Sequence, residues 1–378
     1  MESIAPSVWE MDNVKKALLL QLFGGVSKTL KKCGNVRFRG DINVLLAGDP
    51  GVSKSQLLQY VHKLAPRGMY TSGKGSSAVG LTAYVTRDPE TKQFVLESGA
   101  LVLSDGGICC IDEFDKMSDA TRAILHEVME QQTVSVAKAG IITTLNARTS
   151  VLASANPIDS KYNMKKSIVE NLNLPPTLLS RFDIIALILD NPNEQMDRRL
   201  GKHIVSLYLN EQERKENSTI VDVKLLTKYI SYARSKINPV LTEEAMGEIT
   251  NGYVQMRHMS GGGSGKTISA TTRQLESIIR LSEGHARMRL SHLVQVEDVK
   301  EAIRIIKDSI LSYAIDPITG RIDMDVIMTG KSSAVREQVA DLKKEVKDFL
   351  ASKNIPTLDF QMLSSEMAKQ SSIVILSL

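Results

Sequence analysis

Short apolar runs set the rhythm of the first half of the chain. Residues 42–47 (INVLLA) are apolar apart from Asn43 and rich in branched side chains, which predicts a buried strand. A glycine-containing loop, Gly48 to Ser55, follows. From Gln56 to Leu64 the apolar positions Leu57, Leu58, Val61 and Leu64 share one helical face. Strand, loop and helix in this order make half of an α/β unit. Similar strands are predicted at 107–111 (GICCI), 151–155 (VLASA) and 184–189 (IIALIL), with a fifth around Tyr70. Behind the GICCI strand the pattern predicts a helix with Ser118 as N-cap and Ala120, Ile124, Leu125 and Val128 toward the core. Strands alternating with helices predict an α/β fold, a mostly parallel sheet covered on both faces.

Two stretches break the alternation. Residues 71–99 are rich in Gly, Ser and Thr and then alternate on either side of Asp88-Pro89-Glu90, which predicts a hairpin. Residues 133–146 alternate around Lys138-Ala139-Gly140 and predict a second. After about residue 195 the strands stop. Helical periodicity near 222–235, 242–258, 272–290 and 296–312 predicts an all-helical second domain, with a Gly/Ser tract at 260–265 linking two of its helices. The expected division is an α/β core over 1–195, a helical domain over 196–330 and a tail over 331–378 that starts helical and then loses its pattern.

Composition narrows the classes. A formal net charge of +4 does not announce nucleic acid, so any such surface must be a local patch. The three cysteines, Cys33, Cys109 and Cys110, form no C-x-x-C pair, which argues against a disulfide framework and a zinc site and suits small core residues in a reducing compartment. The first residues carry acids and no apolar stretch, so no signal peptide is expected. No run reaches about 18 apolar residues, so no membrane span is expected either, and the protein reads as intracellular.

The candidate chemistry begins in the first loop. Gly48-Asp49-Pro50-Gly51-Val52-Ser53-Lys54-Ser55 departs from the phosphate-loop pattern G-x-x-x-x-G-K-[ST] only at Ser53, where glycine is usual. Backbone N–H groups at a helix N-terminus, continuing into Gln56, can cradle phosphates. Lys54 can reach the β- and γ-phosphates as a point charge, and Ser55 can ligate Mg²⁺. Serine tolerates a positive φ less well than glycine, but it is small enough for the loop. The second element is the strand ending in Asp112-Glu113. Paired acids there suit Mg²⁺-dependent hydrolysis, with Asp112 on the metal, through water or Ser55, and Glu113 orienting the attacking water. Two other strings are set aside. Gly263-Ser264-Gly265-Lys266-Thr267 puts Ser260 at the motif's first glycine and lacks a preceding strand, so it reads as linker; His126-Glu127 lacks the second histidine of a zinc-protease motif, with Glu130 in its place.

Lys54-Ser55 behind Ser53, the string Ile111-Asp112-Glu113-Phe114-Asp115-Lys116-Met117, and Ser180-Arg181-Phe182-Asp183 together resemble the minichromosome maintenance family of AAA+ replicative helicases. The resemblance covers roughly residues 3 to 330, and the run from SGKGSSAVGLTAYV to LLSRFD is most similar to the fourth-subunit branch of the eukaryotic heterohexamer. It implies an AAA+ core followed by a helical lid, ATP and Mg²⁺ as cofactors, and a nuclear ATP-dependent helicase motor for replication initiation and elongation. The implied partners are related subunits in a hetero- or homohexamer and a DNA strand in its channel. It further implies that Asn156 is sensor 1, that Arg181 is an arginine finger and that Arg273 is sensor 2, both arginines serving the neighbouring subunit. The segment 133–146 resembles the pre-sensor-1 hairpin, with Lys138 facing the DNA; 71–99 contains the helix-2 insert, with Lys74, Arg87 and Lys92 in or near it. The family's N-terminal zinc- and DNA-binding domain has no counterpart in the sequence, so a motor fragment is expected. The tail from about Ala334 resembles the start of a winged helix and stops before a complete wing. The alternatives are an AAA+ ATPase that remodels proteins or loads clamps, and a nucleotide-binding structural subunit with little turnover. A lysine rather than an aromatic at the hairpin tip favours nucleic acid, and Lys54, Asp112, Glu113 and Arg181 together favour turnover.

Overall fold

The computed structural model describes residues 3–30, 36–87, 90, 92–138, 141–159, 161–163, 166–190, 192–207, 221–259 and 271–313. Cys33, Ala139 and Gly140, the Gly/Ser tract with its GKT string, and the tail 331–378 lie outside these residues.

The chain opens with α1 (Asp12–Phe23) and a short antiparallel pair, β1 (Lys28–Leu30) and β2 (Val36–Phe38), which the sequence pattern did not predict. Then come β3 (Val44–Gly48), α2 (Lys54–Leu64), β4 (Gly68–Ser72), α3 (Ala78–Leu81), β5 (Ala83–Arg87), β6 (Phe94–Ser98), α4 (Ala100–Leu103) and β7 (Ile108–Asp112). After these follow α5 (Asp119–Gln131), β8 (Thr133–Lys138), β9 (Ile141–Asn146), β10 (Ser150–Ala155), α6 (Ile168–Leu172), α7 (Pro176–Leu179), β11 (Ile184–Ile188) and α8 (Glu194–Leu207). The remainder is α9 (Val223–Lys236), β12 (Val240–Leu241), α10 (Glu243–Met259), α11 (Thr272–Met288), β13 (Leu293–Val294) and α12 (Val296–Tyr313).

Five strands form one parallel sheet in the order β11-β3-β10-β7-β4. Successive side chains of a strand point to opposite faces, and the two apolar cores obey that period. Val44, Leu46, Ile108, Cys110 and Leu152 join the core that includes α1, α2 and the last helices. Leu45, Ala47, Cys109, Ile111, Val151 and Ala153 join the other, beneath α5 to α7. The adjacent thiols of Cys109 and Cys110 are therefore buried in different cores; burial pushes Cys109 up to about 12 and Cys110 up as well, so both behave as small hydrophobes.

The predicted helical face of α2 is buried at Leu57, Leu58, Val61 and Leu64, but the helix starts two residues earlier, at Lys54. In α5 Ser118 is the N-cap, its hydroxyl accepting from Thr121 N. The buried stripe differs from the predicted one: it is Thr121, Leu125, Val128 and Met129, with Ala120 exposed and Ile124 half-buried. The Thr121 hydroxyl bonds that of Ser118, which lets a polar residue take an inward position at the cap. Both predicted hairpins are present as antiparallel pairs, β5 with β6 from Ala83↔Ser98 to Arg87↔Phe94, and β8 with β9 from Thr133↔Asn146 to Lys138↔Ile141.

The four later helices stand within a residue or two of their predicted spans, yet the region is not all helix. Val240 and Leu241 pair in parallel with Leu293 and Val294. Two residues per strand carry no readable period, so pattern alone could not have found them. The last helix, α12, covers the outer edge of the sheet: Ser309 Oγ donates to Ile185 O at 2.7 Å and accepts from Ile185 N at 3.2 Å, occupying groups that an edge strand leaves open. Arg287 of α11 is buried and donates to Phe23 O, Gly24 O and Gly25 O, the open carbonyls at the end of α1.

Candidate nucleotide site and arginine cleft

The phosphate loop leaves the sheet where β3 ends. Gly48 has φ +148°, and a Cβ there would lie 1.8 Å from Ile188 O, so only glycine fits between β3 and β11. Ser53, the one departure from the motif, has φ +60° and ψ 20° and is the N-cap of α2. It adopts the left-handed conformation that makes glycine usual in its place, at a cost of about 1–2 kcal/mol for a residue with a Cβ. Pro50, Gly51, Ser55 and Gln56 are exposed, while Val52 is half-buried. Asp49 braces the loop: its carboxylate accepts from Tyr162 N at 2.7 Å and Asp190 N at 3.2 Å, tying it to the segments that follow β10 and β11.

Lys54 is buried, and its ammonium donates to Gly48 O at 2.8 Å and Asp49 O at 2.5 Å. Burial lowers its pKa to about 8, against the opposing pull of Asp49, Asp112 and Asp115. Asp112 ends β7, two strands away in the sheet. Burial raises its pKa, but hydrogen bonds from Ser154, Ser55, Tyr70 and the Glu113 backbone outweigh that and hold the carboxyl below its ordinary value. Tyr70 Oη donates to Asp112 Oδ2 at 2.8 Å, and Ser154 Oγ donates to Oδ1. Glu113 takes a left-handed backbone, φ +51°, and its carboxylate pairs with Lys116 at 2.7 Å. Asn156 follows β10, and its N–H donates to Asp115 Oδ1 at 3.0 Å. Lys54, Ser55, Asp112, Glu113 and Asn156 thus all stand at the C-terminal ends of neighbouring parallel strands or just beyond them, the edge where α/β sheets bind ligands.

Arg181 and Arg273 stand elsewhere. Arg181 precedes β11, and Ile184 is in register with Val44, whereas Ile188 is in register with Gly48. At about 3.3 Å per residue, those four register steps put roughly 13 Å of strand between the start of β11 and the phosphate loop. The two arginines instead share a cleft of about 320 Å³ lined also by Arg37, Arg39, Glu130, Glu276 and Arg280. Arg181 and Arg273 both pair with Glu130, and Arg273 donates to Ser180 Oγ at 2.8 Å.

Asp183, two residues beyond Arg181, anchors this cleft. It is buried and accepts from Arg280 at 2.6 Å, Ser277 Oγ at 2.6 Å, Asn43 N at 2.9 Å and Arg39 at 3.3 Å. Burial alone would raise its pKa, but Arg39 and Arg280 keep it lowered. The sequence reading missed Asp183, Arg280, Glu130, Tyr70 and Ser154. Each partner lies some forty residues or more from the residue it holds, and no local spacing marks such pairs.

Residues 1–208 match the MCM P-loop domain and residues 224–310 the MCM AAA-lid domain. The chain belongs to the minichromosome maintenance family. It is 59% identical over 375 residues to the DNA replication licensing factor mcm4 of Schizosaccharomyces pombe, an alignment that covers 98% of this chain and 41% of the relative. It is 60% identical over 353 residues to the DNA replication licensing factor MCM4 of Arabidopsis thaliana, covering 93% of this chain and 41% of the relative. The minichromosome maintenance protein MCM of Saccharolobus solfataricus is 46% identical over 374 residues, covering 99% of this chain and 52% of that protein. The chain therefore spans between about two fifths and one half of the length of these curated MCM relatives. Lys138 is the last residue of β8, in register with Ile141 of β9. No helix among the described residues is long and apolar enough to cross a membrane.

Proposed function

We propose that this chain is the ATP-hydrolysing motor of a replicative DNA helicase, acting in the nucleus within a hexameric ring of related MCM subunits. The observation that carries the reading is the separation of Lys54, Asp112 and Glu113, at the C-terminal ends of the parallel strands, from Arg181, which precedes β11, and from Arg273, which bonds Ser180 beside it. An arginine finger that cannot reach its own phosphate loop serves the nucleotide of a neighbour, and turnover then requires a subunit boundary.

At that boundary Gly48, Gly51 and the N-terminus of α2 offer backbone N–H groups to the phosphates. Lys54 exchanges its contacts with Gly48 O and Asp49 O for phosphate oxygens. The donor set fits Mg²⁺: the Ser55 hydroxyl bonds Asp112, whose lowered pKa keeps it ionised, a pair of hard oxygen ligands. Bound there, the cation neutralises charge on the β- and γ-phosphates. Glu113 orients the attacking water and Asn156 contacts the γ-phosphate. Arg181 and Arg273 stabilise charge on the phosphoryl group held by the adjacent subunit. Lys138, repeated around a ring, would form a circle of cations that tracks a phosphate backbone.

Hydrolysis measured against protein concentration, alone and mixed with related subunits, tests this. The rate per subunit should rise steeply on association and fall by about 10³-fold with Arg181→Ala. A rate independent of both concentration and Arg181 would mean a self-contained ATPase, and the ring reading would be abandoned.

A further inference from the structure

Glu130 is the one acidic residue among the described residues that pairs with both Arg181 and Arg273. It sits in the last turn of α5, where the helix dipole disfavours an anion and the turn itself carries no basic residue. Its side chain is 54% exposed, so it is not fixed there by packing. The Arg181 side chain is only 15% exposed, and its Nε is buried with no hydrogen-bond partner among the described residues. Among those residues, Glu130 is the only acid that the Arg181 guanidinium pairs with. Carboxylate and phosphate present the same planar pair of acceptor oxygens to a guanidinium fork, so they compete for one set of donors.

We propose that Glu130 is an intramolecular competitor for the anion that Arg181 and Arg273 receive, and that this competition makes the subunit boundary select a nucleoside triphosphate over a diphosphate. The inference rests on the reading of the two arginines as serving a neighbour's nucleotide. A terminal phosphoryl group carrying nearly two charges displaces a single carboxylate from two guanidinium groups. A diphosphate in the same loop ends one phosphate short, so Glu130 keeps the arginines and the boundary stays loose. Glu130 acts through the arginines and is a positioning residue.

The test is hydrolysis by the assembled complex as a function of ATP concentration, with Glu130→Gln, Glu130→Asp and Arg181→Ala compared, together with subunit association in ADP. Glu130→Gln should lower KM for ATP by about three- to tenfold, the range expected from two partly exposed ion pairs. It should also allow association in ADP, and Glu130→Asp, which keeps the carboxylate, should restore the parent KM. An unchanged or raised KM, or a fall in kcat resembling that of Arg181→Ala, would overturn the proposal and leave Glu130 as a simple brace. If Arg181→Ala itself leaves hydrolysis intact, the intersubunit reading fails first and the competitor role falls with it.

Discussion

At the phosphate loop, eight consecutive residues from Gly48 to Ser55 supply backbone donors, an ammonium and a hydroxyl, and Asp112, Glu113 and Asn156 arrive from the ends of neighbouring strands. At the arginine cleft no single segment suffices. Arg37 and Arg39 precede β3, Glu130 ends α5, Arg181 precedes β11, and Arg273, Glu276 and Arg280 ride on α11. The first site holds its charge by local means: Lys54 is buried against carbonyls of its own loop. The second holds four arginines, Arg39, Arg181, Arg273 and Arg280, through Glu130, Glu276 and the buried Asp183. A site made from one loop can tune itself without reference to the lid. A site made from the sheet and the lid together depends on their relative placement.

Asp183→Asn should expose this difference most strongly. Removing one partner of a buried charge network costs about 3–5 kcal/mol, because Arg39 would be left buried without its anion and Arg280 would keep only Glu276. Denaturant unfolding would measure it, and a loss below about 1 kcal/mol would mean that the cleft is held by something other than this network.

The loop can be challenged through pH. Only protonated Lys54 can offer its charge to phosphate, and burial brings its pKa down to about 8. Nucleotide affinity should therefore be constant below that pH and weaken by up to about tenfold per unit above it. An affinity that stays flat to about pH 10 would show that burial does not lower the pKa of Lys54 in the nucleotide-free protein.

The smallest effect belongs to Ser53→Gly. Relief of the left-handed strain, about 1–2 kcal/mol, is largely offset by the greater freedom of glycine in the unfolded chain, about 0.5–1 kcal/mol. Stability should rise by about 1 kcal/mol or less, with nucleotide binding unchanged. A loss of binding would mean that the Ser53 side chain itself contacts the nucleotide.

How much of the molecule is legible in one dimension depends on distance along the chain. The strand, loop and helix over residues 44–64 carry a period and a spacing that survive there, so their elements and the position of Lys54 are legible. The helices after residue 222 are legible for the same reason. The inward face of α5 departs from its apolar period because a cap hydrogen bond, rather than apolarity, brings Thr121 into the core. Arg181 and Arg273 could be singled out only through the family resemblance. An arginine's role is set by what it faces, and Glu130 lies about fifty residues from one and more than a hundred from the other.

The sequence by itself determined the α/β alternation, the two hairpins, the helical second half and the phosphate loop, since each follows from side-chain period or from contiguous residues whose conformations are locally constrained. Only the tertiary structure decided that the loop and the arginines lie toward opposite ends of the strands, that Asp183 joins strand to lid, and that Glu130 holds both arginines. Those facts depend on strand order and register, and a parallel sheet ordered β11-β3-β10-β7-β4 brings together residues that no local interaction relates.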